Sequence, residues 1–247
     1  MPPPFRQVNR AQFAQLLQQF NFTRRIDIVH FHHTSSPRHR DFNGQASVVS
    51  MFRHHTQNRG FRDIAQHITI APDGTIFLGR NWNLAPASSV GFNIPPPDTP
   101  FMFETVGNFN TGEDPFRDPQ RLTVLTVIAL VQRRFGLPST ALKFHREMAN
   151  TDCPGSSLNK NNIIQAVNAL QIPPNTDGDT AVDLLSIPEL TRNLTEEEIA
   201  LTSSVDLAEI LREFEALGPA DDAAPENERT ADEGEDNHEE IPEEILQ

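Results

Sequence analysis

RIDIVHFHHTSS, residues 25–36, reads as a β-strand: Ile26, Ile28 and the run Val29 to Phe31 are rich in β-branched and aromatic side chains. The run delivers His32, His33 and Thr34 at its C-terminal end, where a sheet holds the backbone fixed and adjoining loops leave side chains accessible. Upstream, Phe13, Leu16, Leu17 and Phe20 recur at helical spacing from Asn9, which predicts an amphipathic helix. Downstream, residues 45–58 read as a helix or helical turn. HITIAPDGTIFLG then alternates apolar residues on both sides of a Pro-Asp-Gly turn, the pattern of a hairpin.

Phe101 to Val106 is a further apolar strand with one charge, Glu104, on the face opposite to Phe103 and Thr105. Asp118-Pro119 starts a helix that is apolar nearly all round until Gly136 and Pro138 stop it, so it is expected to be buried against a sheet. Leu142 to Phe144 is a short strand ending in His145, and Asn159 to Leu170 is a helix. Strands alternating with helices specify an α/β domain over residues 1–175. Beyond a proline-containing linker, Thr195 and Glu198 form a capping box. Leu207, Ile210, Leu211, Phe214 and Leu217 mark a helix, giving a helical extension over 176–218. Residues 219–247 are too charged to order themselves and are expected to be a disordered acidic tail.

That tail explains the net charge. Of the formal −14, the segment after Gly218 carries −11, so the remainder lacks the basic footprint of a nucleic-acid-binding protein. No apolar stretch is long enough to span a membrane, and the N-terminal MPPPFRQVNR has no signal-peptide core; cytoplasmic residence is the default expectation. The composition leaves the oligomeric state open.

Three residues carry metal chemistry: His32 and His145 at strand ends, and Cys153 in a Thr-Asp-Cys-Pro-Gly turn. Two imidazoles and a thiolate suit Zn2+, with a fourth tetrahedral position for water as in catalytic sites. The single cysteine forms no internal disulfide, and taken alone it reads more readily as a small buried hydrophobe than as a ligand.

The segments VHFHHTSS (29–36), RGFRDIAQHITIAPDGTIFLGR (59–80), GFN (91–93), FETVGNF (103–109) and FHREMANTDCPG (144–155) stand in an order that resembles the zinc-dependent N-acetylmuramoyl-L-alanine amidases, including peptidoglycan recognition proteins and phage lysozyme-type amidases. The resemblance covers about residues 20 to 170. It implies a central mixed β-sheet flanked by helices, a zinc ion on His32, His145 and Cys153, and peptidoglycan or soluble muropeptides as substrate. It also implies Glu104 as the base and Thr151 as a hydrogen-bond donor to the substrate carbonyl. The family's oxyanion-stabilising tyrosine is Gln66 here, and a groove histidine is Ser88. His33, Trp82, Phe92 and Asn93 are candidate substrate contacts, although Trp82 and Phe92 fit a core equally well. His67, His54 and His55 have plain packing roles as an alternative. Two other functions stay open: a peptidoglycan sensor without turnover, and an amidase for another amide, its groove reshaped by Gln66, Ser88 and the insertion IPPPDTP (94–100).

Overall fold

A computed structural model describes residues 5–95, 97–170, 188–192 and 207–216. Six strands form one sheet: β1 (Gln7–Val8), β2 (Ile28–His33), β3 (Ile68–Ile70), β4 (Ile76–Leu78), β5 (Pro100–Thr105) and β6 (Leu142–Phe144). Their order is β1-β4-β3-β5-β2-β6. The last four are parallel to one another, and β4 and β1 add an antiparallel edge. The expected mixed sheet is therefore present. The predicted hairpin is β3–β4, closed by Gly74, whose N–H donates to Ala71 O at φ +86°, a backbone region open mainly to glycine.

Period-two alternation gives the sheet two chemically different faces. Val29, Phe31, Phe101, Phe103, Leu142 and Phe144 share one face and enter the main apolar core. Helices α1 (Arg10–Gln19) and α3 (Gln120–Arg134) contribute to that core as well. Asn9 caps α1 by a reciprocal capping box with Gln12, which satisfies two amide groups at the helix start. The nearly all-round apolar α3 is buried through eleven of its residues, as its sequence predicts. On the other face, α2 (Gly44–Arg53) and Phe5 cover Phe77 at the antiparallel edge. The middle of that second face carries only a small apolar cluster among the described residues, Ala65, Ala87 and Met102, and the candidate site lies beside it.

Helix α4 (Lys160–Asn168) is capped by Asn159 and adds Ile163 and Val167 to the core. Between α5 (Pro188–Thr191) and α6 (Leu207–Ala216), residues 193–206 are outside the described residues, as are the Thr195–Glu198 capping box, the boundary at 175 and the acidic tail. Helix α6 buries Ile210 and Phe214 in the main core. Phe214 packs on Trp82 and Phe20 at centroid separations of 5.1 and 5.8 Å, and Arg6 clasps Glu213 through two hydrogen bonds of 2.8 Å. Phe214→Ala should therefore lower the unfolding free energy by about 3 to 5 kcal/mol, the usual range for emptying a buried phenyl site. Urea denaturation checks this; a loss below about 1 kcal/mol would show that α6 adds little to the core. No helix among the described residues is long and apolar enough to cross a membrane.

Two histidines bear out their plain packing reading. His67 Nε2 meets Leu84 O at 2.9 Å and its Nδ1 accepts from Met102 N–H; burial pushes its pKa well below 6.5. His55 accepts from Ala65 N–H, and burial, then neighbouring His54, push it down to about 3. A ring kept neutral in the fold takes up a proton on unfolding once the pH drops below about 6.5. Stability is thus complete above that pH and drains away as pH falls, at about 1.4 kcal/mol per unit for each such ring until its folded pKa is reached. His55→Gln should flatten the decline of the urea midpoint between pH 7 and pH 5; parallel slopes for variant and wild type would refute it.

Candidate active site

The site face carries two rows of side chains. In the parallel register Thr69 pairs with Glu104 and Glu104 with His32, while His145 directly follows Phe144, the residue paired with Phe31. The functional row is therefore Thr69, Glu104, His32, His145. One step below it, His30 pairs with Met102 and Lys143.

His32, His145 and Cys153 come together as expected: one ligand atom from each lies within 4.8 Å of the others, and all three residues are buried. The imidazole centroids of His32 and His145 are 4.3 Å apart. Burial, and then His145, His30 and His33, hold the His32 pKa well below 6.5, so the ring is neutral at neutral pH, as a metal ligand must be. The Cys153 sulfur accepts the backbone N–H of His33 at 3.3 Å, a contact that suits a thiolate ligand. The donor set thus fits zinc by type and number.

The turn bearing Cys153 is held by its own sequence. Arg146 N–H donates to Cys153 O at 2.9 Å, and the Arg146 guanidinium donates to the carbonyls of Gly155 and Leu158 at 2.8 and 2.6 Å. A Cβ at residue 155 would come within 2.4 Å of the Phe109 carbonyl, so only glycine lets this turn press against the sheet end. Sequence and geometry agree on why HREMANTDCPG is one unit: the residue after one candidate ligand anchors the loop that carries the next candidate.

Glu104 lies on β5, an interior strand rather than an edge. It is half-buried, and desolvation raises its carboxyl to about 7, though a divalent cation beside it would pull the other way. Thr151 Oγ1 accepts Cys153 N–H at 3.1 Å, which fixes the hydroxyl oxygen and leaves its hydrogen to donate elsewhere.

Three expected contacts are corrected. Gln66 is wholly buried and its amide donates to Thr69 Oγ1 at 2.8 Å, which places it beneath the row. His33 is buried on the opposite face, where its Nδ1 accepts from Phe109 N–H; its part in the site is the backbone N–H given to sulfur. Trp82 is wholly buried among Phe13, Phe20, Phe101 and Phe214, which makes it a core residue and not a groove wall.

The loop after β4 supplies the rest. Ser88 is half-buried, but its neighbour Ser89 reaches the site, its Oγ 3.3 Å from His32 Nε2. The Phe92 ring lies 5.0 Å from Lys143 Nζ, and Asn93 is buried with neither amide atom partnered among the described residues. Asp98 binds Lys143 Nζ at 2.6 Å and lies 3.3 Å from His30 Nε2. Burial, despite Asp98, takes the His30 pKa down to about 4, so His30 meets the carboxylate as a neutral imidazole and the ion pair is Lys143–Asp98. Ser89, His30, Asp98 and Lys143 are absent from the sequence-based site. Period-two spacing from His32 and His145 would have found His30 and Lys143; nothing local marks Asp98.

The model of the family described as N-acetylmuramoyl-L-alanine amidase matches residues 22–156. A human N-acetylmuramoyl-L-alanine amidase is 33% identical over 138 residues, which is 54% of this chain and 23% of that protein. The peptidoglycan-recognition protein SC2 of Drosophila simulans is 26% identical over 106 residues, 42% of this chain and 54% of that protein. Among solved structures, an endolysin N-acetylmuramoyl-L-alanine amidase from Clostridium intestinale is 25% identical with a TM-score of 0.48, covering 58% of this chain and 84% of that one. The chain spans about a quarter of the length of the human, pig and mouse relatives it matches, at 23%, 22% and 25%.

Proposed function

Because the chain belongs to the N-acetylmuramoyl-L-alanine amidase family, we propose that it hydrolyses the amide between N-acetylmuramic acid and L-alanine in peptidoglycan or soluble muropeptides, with zinc held by His32, His145 and Cys153. The observation that carries this reading is the convergence of two neutral-capable imidazoles and a sulfur within 4.8 Å, on the same sheet face as a carboxylate. Zinc at such a centre supplies Lewis acidity, which activates a water near neutral pH and polarises the amide carbonyl. Glu104, a carboxylate on the same sheet face as His32, then takes the proton of the attacking water and returns it to the departing amine. Thr151, anchored through Cys153 N–H, donates its hydroxyl hydrogen to the developing oxyanion, a contribution of roughly 3 kcal/mol. The Gln66 amide is turned to Thr69, so Thr151 stands in this reading as the oxyanion donor in place of the family's tyrosine.

The test is incubation of zinc-loaded protein with soluble muropeptides and, separately, with intact sacculi, followed by mass spectrometry for free stem peptide. Release beginning at L-alanine supports the assignment. Binding without release from either substrate, by protein carrying stoichiometric zinc, would make the chain a peptidoglycan sensor; release of some other fragment would assign a different amide.

A further inference from the structure

The zinc reading leaves open which nitrogen of His32 faces the ion, and Ser89 decides it. Ser89 is 5% exposed, and its Oγ lies 3.3 Å from His32 Nε2. It sits at φ +62°, a left-handed conformation that a residue with a Cβ keeps only where its surroundings hold it there. Those surroundings are visible. Phe92 N–H donates to Ser89 O at 2.9 Å and closes the turn. The Phe92 ring rests against Lys143 Nζ, and Asp98 ties the far end of the loop to Lys143 on β6 and His30 on β2. Asp27 and Thr99 exchange two further hydrogen bonds at the start of β2, of 3.1 and 2.8 Å. The loop is thereby pinned to both strands that carry the imidazole ligands, each time at a residue upstream of the ligand itself. A strained, buried hydroxyl is held over one ring nitrogen of one ligand.

We infer that Ser89 is a positioning residue: its Oγ accepts the Nε2–H of His32, which fixes the ring's tautomer and orientation and reserves Nδ1 for the metal ion. This rests on the proposed zinc site. A ligand imidazole must present a bare nitrogen to the ion, so the proton resides on the other nitrogen, and a fixed acceptor there removes the entropy of choosing between tautomers and ring flips. The serine hydroxyl suits the task because it accepts from Nε2–H and still has a hydrogen to give, and it adds no charge beside the ion.

The experiment has two readouts. Ring nitrogen–proton correlation spectra of the metal-free protein, with His32→Gln to assign the signals, should show His32 protonated at Nε2 in the wild type and a mixture of tautomers in Ser89→Ala. Zinc affinity, measured by competition with a chromophoric chelator, should be about 10- to 100-fold weaker in both Ser89→Ala and Ser89→Gly. The glycine variant relieves the positive φ and separates the hydroxyl from the backbone strain. Wild-type His32 protonated at Nδ1, or wild-type affinity in either variant, overturns the inference. If wild-type protein takes up no zinc, the proposed function fails while the metal-free tautomer still judges Ser89.

Discussion

Cys153→Ser should lose zinc on dialysis and retain at most about a thousandth of wild-type amide hydrolysis, while keeping its secondary structure. Serine is nearly isosteric, but its hydroxyl stays protonated and neutral, so the proposed zinc site would lose the one anionic ligand of its three. Without a bound ion the attacking water reverts from a pKa of about 7 to about 15.7, far more than the remaining side chains can offset. The packing cost is small by comparison: a buried sulfur replaced by oxygen leaves the His33 N–H with an acceptor, and typical single substitutions cost only about 1 kcal/mol. Metal content by atomic emission, turnover on muropeptides and far-ultraviolet circular dichroism separate these effects. Stoichiometric zinc in the variant, or activity within about tenfold of wild type, would defeat the assignment of Cys153 as a ligand. A chelator should reproduce the loss in wild type, and added zinc should restore it in wild type alone.

The parts of this molecule that follow a period are legible in the order of its residues alone. Alternation along residues 26–33 and 101–106 separates a phenylalanine-lined face from a face bearing His32 and Glu104, and the sheet realises that separation in register. The same logic places His145 one residue beyond a strand and reads 120–134 as a buried helix. What resists reading lies in loops, where no period says which of two neighbours faces inward. Ser88 and Ser89 illustrate this: a positive φ at residue 89 turns its side chain, and not that of residue 88, toward His32. Trp82 misleads for a related reason, since an aromatic residue just outside a strand carries no sign of facing a groove or a core; five aromatic residues from distant segments settle it as core. Asp98 sits among prolines that suggest only an irregular segment. Its meaning comes entirely from two residues brought to it across the sheet, at 45 and 68 positions' separation.

The two rows of the site face divide the labour. The upper row holds groups that can meet a substrate or an ion, and the lower row, with Asp98, Lys143 and His30, joins the strands that carry them. Such an arrangement lets the chemistry be altered at one residue without disturbing the ligand geometry, which makes Glu104 a clean target.

Glu104→Gln should lower kcat by about 10²- to 10⁴-fold, the range for removal of a positioned general base, with zinc content and KM close to wild type. Glutamine matches glutamate in shape and keeps a hydrogen-bonding oxygen, but cannot accept a proton at neutral pH. Unfolding stability should rise slightly or stay level, because the variant no longer buries a carboxylate whose desolvation lifts its pKa to about 7. The pH profile gives the sharper criterion. A general base works only when ionised, so wild-type kcat/KM should climb with pH through the carboxyl's pKa, at or below about 7 once a cation is bound, and then level off. In the glutamine variant the carboxyl's share of that limb should vanish, leaving a low profile that follows only the ionisation of a zinc-activated water. A carboxylate that merely supports the sheet would lower kcat without changing the profile's shape, and that outcome would remove Glu104 from the chemistry.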